Sequence, residues 1–201
     1  GIREQYRQWP LAPDAASVRL GPGIIGAAVN ERLAPHGRKI GPDPASINTC
    51  KIGGIAANNA SGMCCGTSQN SYRTLAGMRS HAALLHELAD LGAAVRGDAA
   101  LAARIRHKYS IKNTTGYSLN ALVDYEDPID ILTHLMIGSE GTLGFMARIT
   151  FQTVPEDPCK ASALVFFPTI ESACQAVRNL KPAPVSAVEL LDRAALRSVQ
   201  D

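Results

Sequence analysis

The sequence predicts a loop-rich chain that mixes helices with strands, an α/β chain rather than a helical bundle. Three observations lead there. The 201 residues include 17 Gly and 12 Pro, residues that punctuate regular structure. Apolar residues alternate in some segments and recur every three to four positions in others, the patterns of strand and helix. With 46% apolar and 19% charged residues, the chain can bury a core and lacks the composition of a disordered one. Its length suits one large domain, or one and a half small ones.

The elements follow in order. Residues 1–16 form an approach segment, because Pro10 and Pro13 block regular structure. Residues 17–20 alternate and predict a short strand, stopped by Gly21-Pro22-Gly23. Residues 24–34 predict a helix with Ile25, Val29 and Leu33 on one face, ended by Pro35 and Gly37. Residues 36–49 are extended and turn-rich, since Pro42 and Pro44 each push the preceding residue into extended geometry. Residues 50–77 are rich in small and polar side chains, with Lys51 and Arg73 as their only charges.

Residues 80–95 and 98–109 predict two helices. The first carries Leu84, Leu85, Leu88 and Leu91 on one side and stops at Gly97; the second is capped by Asp98. Asp127-Pro128 opens another helix that runs through Leu132 and Leu135 to Met136. A Gly-rich turn over 138–144 leads to a strand over 145–154, ended by Pro155 and Pro158. Beyond lie a strand over 161–167, a helix over 170–180, a strand over 185–191 and a short helix to Val199. The last third therefore reads as the opening of a separate α/β module.

Charge and composition exclude several functions. Lys plus Arg number 20 against 18 Asp plus Glu, a net of +2. A nucleic-acid binder carries a clear basic excess, and with 5% aromatics and one Trp base-stacking platforms are not expected. No apolar run nears the ~20 residues of a membrane span. Residues 1–7 are charged and lack an apolar core, so no signal peptide is expected. Cysteines stand at 50, 64, 65, 159 and 174, with no CxxC spacing. The odd number and the adjacent pair point to free thiols in a reducing compartment. The expected location is cytoplasmic, with peripheral contact at the inner membrane face left open. The five His do not cluster and HExxH is absent, so no metal site is expected. GxSxG and the phosphate-cradling GxxxxGK[ST] are absent too.

Three segments carry chemistry. In the first, residues 52–62 continuing to 68, Gly53, Gly54 and Gly62 let the backbone approach a ligand, and Asn58, Asn59, Ser61 and Thr67 add side-chain donors and acceptors. A phosphate or polar heterocycle suits such a wall; a tight Gly/Ala turn is the alternative. In the second, residues 138–144, three glycines allow a sharp turn, and Glu140 suits capping of backbone amides better than chemistry. The third, residues 112–118, is polar with a Gly hinge before Tyr117 and reads equally as a surface turn. Gly21, Gly23 and Gly26 match the dinucleotide spacing formally, but Pro22 sits in the turn and no acidic partner follows a later strand.

Together, Asp43-Pro44-Ala45-Ser46 with 52–62, then 112–119, then 138–144, resemble the FAD-binding domain of the vanillyl-alcohol-oxidase / p-cresol-methylhydroxylase type. Within it the likeness is to the branch of glycolate oxidase and the cytochrome-type D-lactate dehydrogenases. Residues 41–75 and 109–144 are most similar to long members fused to an iron–sulfur domain. The resemblance implies an α+β fold: an FAD-binding domain over 1–158, mostly its second subdomain, then the start of a substrate (cap) domain over 159–201. It implies noncovalent FAD lined by Pro44, Ser46, Gly53, Gly54, Asn58, Asn59, Ser61, Gly62, Gly66, Thr67, Glu140, Gly141, Thr142 and Gly144.

The implied activity is oxidation of a D-2-hydroxy acid, D-lactate foremost. Electrons would pass to a quinone, a cytochrome or an iron–sulfur domain of the parent protein. The flavin would supply the redox chemistry and the protein its orientation and electrostatics. The family's pyrophosphate loop would precede Val18, its substrate and metal residues would lie beyond this chain, and a strand–turn–strand is missing between Arg79 and Ser80. No catalytic residue is therefore assigned. A non-catalytic binding module on a decayed copy of the fold, or a flavin oxidase of another substrate class, are the alternatives.

Overall fold

A computed structural model describes residues 9–63, 68–77, 82–180, 183 and 185–199. The chain divides into two compact units between Glu156 and Asp157. In the first, β1 (Ser17–Leu20) leads to α1 (Gly26–Leu33) and β2 (Arg38–Ile40). Then come α2 (Ile52–Asn58), α3 (Ser71–Thr74) and β3 (Leu75–Gly77). A helical hairpin of α4 (Ala82–Gly97) and α5 (Ala99–Lys108) precedes α6 (Ala121–Asp124) and α7 (Pro128–Leu135), and β4 (Ile149–Pro155) closes the unit. Helices and a small antiparallel sheet make it α+β.

Strand β4 organises the sheet, because β1, β2 and β3 all pair with it antiparallel. Leu20 stands opposite Ile149, Leu75 opposite Phe151 and Ile40 opposite Thr153. Ile149, Phe151 and Thr153 point inward and are buried, as the two-residue period of a strand demands. Phe151 meets Leu20, Val29, Leu33, Ile40 and Ile55 in one apolar cluster. A second cluster joins Leu88 of α4 to Leu122 and Ile131.

Local chemistry accounts for the helices. Asp98 Oδ1 accepts the Leu101 N–H at 2.9 Å, and Asp127 Oδ1 accepts the Ile129 N–H at 2.7 Å ahead of Pro128. Asn70 caps α3 by accepting the Arg73 N–H at 3.0 Å, a helix and cap that the sequence pattern does not reveal. Helix α1 begins later than expected: Ile25 is its N-cap and 40% exposed, while Val29 and Leu33 are buried. Gly26 is there for closeness, since a Cβ would lie 2.4 Å from Ile47 Cδ1. With β1 antiparallel in the sheet, the glycine spacing at 21–26 builds a packed turn and not a dinucleotide crossover.

Helix α4 buries a different face from the one expected. Leu88 is buried, but Leu84 and Leu91 are 45% and 49% exposed. Gly92 explains the rotation: Ile131 Cδ1 would lie 2.9 Å from a Cβ there, so α7 packs close against that position. Strand β4 starts at Ile149 rather than Phe145, because ladder pairing begins only where Leu20 meets it. Residues 52–58, for which the sequence offered a ligand-facing wall or a tight Gly/Ala turn, are helical.

The second unit contains α8 (Ile170–Leu180) and α9 (Arg193–Arg197), the latter capped by Asp192 accepting the Ala195 N–H at 2.7 Å. Residues 161–167 and 185–191 are not strands, which corrects the expectation. Alternation makes a strand only where another strand takes up its backbone groups, and no partner stands beside them among the described residues. Leu164, Phe166 and Val177 are exposed within this unit.

Replacing Phe151 by Ala should cost about 3–5 kcal/mol, because the ring is fully buried where three strands meet β4. Urea unfolding should show a lower midpoint at unchanged slope.

Candidate functional site

The three segments singled out by the sequence come together. Helix α2 is built into a corner: the Ile52 N–H donates to Ile24 O at 2.8 Å and the Gly53 N–H to Pro22 O at 2.9 Å. A Cβ on Gly53 would lie 2.8 Å from Pro22 Cβ, so this glycine faces the Pro22 turn and its N–H is already committed. Gly54 differs: it is exposed, and a Cβ there would have no atom within 4 Å.

The far end of α2 meets the Gly138–Gly144 turn. Ala56 O accepts the Gly138 N–H at 3.4 Å, and Ala57 O accepts the Glu140 N–H at 3.0 Å. Asn58 Nδ2 donates to Glu140 Oε1 at 2.5 Å. Glu140 thus holds a side-chain amide of α2 rather than capping backbone amides. The 112–118 segment joins both. Lys112 Nζ donates to Gly62 O at 2.7 Å, and the Tyr117 hydroxyl bonds Thr142 Oγ1 at 3.0 Å.

Gly62 ends the first segment at φ +67, where a Cβ would lie 1.8 Å from Asp43 O, so only glycine fits. That contact brings buried Pro44 alongside, and the Asp43 N–H donates to the carbonyl of buried Ser61 at 3.2 Å. Ser46 is exposed, its carbonyl accepting the Thr49 and Cys50 N–H groups at 2.8 Å. Gly141, Thr142 and Gly144 are exposed along the second turn. Gly66 and Thr67 lie outside the described residues, as do Cys64, Cys65 and the Arg79–Ser80 junction. Cys50, Cys159 and Cys174 are free thiols.

Beside this wall lies a cleft that the sequence motifs do not announce. Asn59, Asn70, Tyr72, Arg73, Tyr109, Ile111, Asn113, Ser118 and Asn120 line a shallow cleft open to solvent. Asn59 ties it to α2: its side chain accepts the Tyr72 N–H at 3.2 Å. Arg73 was the available signal, a lone cation in an otherwise neutral stretch after Lys51.

Behind the cleft, Tyr72 OH donates to Asp124 Oδ2 at 2.9 Å. Burial, helped by Asp124, pushes the Tyr72 phenol far up, so it stays a neutral donor. Burial raises Tyr125 as well. His134 stacks on Tyr125 at 4.0 Å between ring centroids, edge-on to Tyr72 at 5.0 Å. Its Nδ1 donates to Asp130 O at 2.7 Å, and burial lowers its basicity.

This sets a pH dependence. The unfolded chain takes up a proton on His134 near the ordinary value of 6.5, while the folded one resists it to lower pH. The unfolded state then binds more protons, so stability should fall as pH drops below about 6.5. Replacing His134 with Phe should keep the stack and reduce that loss, measured by urea unfolding at about pH 5 and about pH 8.

Residues 9–83 match the FAD binding domain family, and residues 157–201 match the C-terminal domain of FAD linked oxidases. The glycolate oxidase subunit GlcD of Escherichia coli (strain K12) is 28% identical over 95% of this chain and 33% of its own length. A D-lactate dehydrogenase of Archaeoglobus fulgidus is 26% identical over 96% of this chain and 37% of its own. The mitochondrial D-lactate dehydrogenase [cytochrome] of Arabidopsis thaliana is 31% identical over 89% and 26%. The chain spans about a third of the length of the first of these relatives. Its matched segments are those of an FAD binding domain and of the C-terminal domain of FAD linked oxidases, and over most of its length it is similar to glycolate oxidase GlcD and to D-lactate dehydrogenases.

Proposed function

We propose that this chain is the flavin-holding part of an enzyme that oxidises a D-2-hydroxy acid, D-lactate foremost, and delivers the electrons to an acceptor other than nicotinamide. The observation that carries the reading is the convergence of residues 52–62, 112–118 and 138–144 on one wall. The relatives support it, since their names specify glycolate and D-lactate.

FAD fits the residues present. Gly54 leaves an open strip on α2 that any side chain would fill. Ser139 Oγ is buried within the second turn with no hydrogen-bond partner. Met63, Leu143 and Phe145 expose apolar surface at the ends of the two glycine segments, 55%, 47% and 77%. A group with both polar edges and a flat apolar face matches that donor set.

Gly54, Asn58, Asn59, Ser61 and Gly62 from the first segment would hold the cofactor, with Glu140, Gly141, Thr142 and Gly144 from the second and Pro44 and Ser46 beside them. Bound there, the flavin supplies the acceptance of a hydride from the hydroxyl-bearing carbon. The protein's own contribution is position. Glu140 fixes Asn58, Lys112 fixes the Gly62 carbonyl, and Tyr117 fixes Thr142. No helix of the described residues is long and apolar enough to cross a membrane. A quinone, a cytochrome or an iron–sulfur domain of the parent protein would take the electrons onward.

Two measurements test this. Gly54→Val has space in the folded chain, so it should leave the thermal transition intact while abolishing flavin absorbance in the full-length protein. A normal flavin spectrum in that variant would remove α2 from the cofactor wall. The intact enzyme should reduce a dye acceptor with D-lactate, among D-lactate, L-lactate, glycolate and D-2-hydroxyglutarate. Turnover of none of the four would defeat the hydroxy-acid reading and leave the flavin one standing.

A further inference from the structure

Helix α5 and the loop after it form a basic surface beside the cofactor wall. From residue 99 to residue 123 the chain holds Arg104, Arg106, His107, Lys108 and Lys112 and no Asp or Glu. All five are exposed. Ala102 and Ile105 are the buried residues of α5, so Arg104, His107 and Lys108, three and four positions apart, share a solvent-facing side. None of the five has a carboxylate within ion-pair distance among the described residues. Cations in a last turn suit the helix dipole, which accounts for Arg106, His107 and Lys108 taken singly. It does not account for what stands between Lys108 and Lys112.

Ile111 stands there, 71% exposed. It cannot fold back, because its neighbours are tied. The Ser110 hydroxyl donates to His107 O at 2.7 Å, and Lys112 Nζ donates to Gly62 O at 2.7 Å. The Tyr109 hydroxyl closes the base of the loop, donating to Tyr117 O at 2.6 Å and accepting the Leu119 N–H at 3.3 Å. The fold thus holds an aliphatic tip in water and surrounds it with cations. A fixed set of carboxylates on a protein is bound best by side chains already held in place. The Arg104 and Arg106 side chains are held by no hydrogen bond among the described residues, which suits a fluid array of anions.

We propose that this surface rests on an anionic lipid membrane, with Ile111 entering the headgroup region and Arg104, Arg106 and Lys108 on the lipid phosphates. Lys112 also holds the Gly62 carbonyl, so the contact borders the cofactor wall. An acceptor dissolved in the lipid, a quinone, is then the one this surface favours. The membrane contact stands without the flavin reading; only this use of it rests on that reading.

The test sediments the full-length protein with vesicles of phosphatidylcholine, alone or mixed equally with phosphatidylglycerol. Wild type should bind the mixed vesicles and not the neutral ones, and should be released as salt is raised. A triple variant, Arg104→Gln, Arg106→Gln and Lys108→Gln, should bind about 100-fold more weakly, at about fivefold per cation, and should reduce a soluble dye as wild type does. Ile111→Ser should lose about tenfold at fixed salt, with an unchanged thermal transition because the side chain is exposed. Absence of wild-type binding to the mixed vesicles would overturn the proposal. So would wild-type affinity in Ile111→Ser, which would leave charge alone and point to an acidic protein partner. Failure of the flavin reading would look different: protein that binds the vesicles but carries no flavin and reduces no dye.

Discussion

The site depends on how helix α2 ends. The last carbonyls of a helix have no partner within it and must find donors elsewhere. Here Ala56 O and Ala57 O find the N–H groups of Gly138 and Glu140, residues far away in sequence. The Asn58–Glu140 bond, spanning 82 positions, closes the same join from the side chains. Because β4 follows this turn closely, its antiparallel register with β1 determines where the turn can reach. Packing of Phe151 and Ile149 in the core therefore holds the site as much as any residue in it.

Much of the scaffold was legible in the sequence, and for identifiable reasons. Asp98 and Asp127-Pro128 mark helix starts by local chemistry that needs no distant partner. Strand β1 and most of β4 show in alternation, which a half-buried strand cannot avoid. Illegible parts depend on contacts made far along the chain. Residues 52–58 show no helix in the sequence because two glycines weaken helix propensity, but Pro22 and Ile24 carbonyls take up the first N–H groups and stabilise the turn. Leu84 and Leu91 suggested the wrong face of α4 because the close approach of Ile131 at Gly92 cannot be seen from the helix alone. The apolar runs at 161–167 and 185–191 suggested strands, although alternation specifies a side-chain pattern and not a partner.

The site was legible as three motifs and illegible as a cleft. Glycines and amides cluster in sequence, so the wall announces itself. Tyr72, Arg73, Asn120 and Asp124 come from two short helices and are ordinary residues singly. Only the fold sets the Tyr72 hydroxyl and Asn120 amide on one carboxylate oxygen.

That shared carboxylate also links the wall to the buried aromatic stack. Asn59 sits at the C-cap of α2 and holds the Tyr72 backbone, while Tyr72 contacts both Asp124 and the edge of His134. A proton on His134 would place charge against two neutral rings in a site that burial already makes unfavourable for it. Its nearest compensation is the Asp130 carbonyl, a hydrogen bond the neutral ring already makes. Relief would come from moving the stack, and the Tyr72 ring cannot move far without breaking its hydroxyl's hydrogen bond to Asp124. The stack therefore works as a rigid neutral backing for the polar cleft. Tyr72 and Asn120 both donate to Asp124, so one carboxylate oxygen ties the two short helices together behind the cleft.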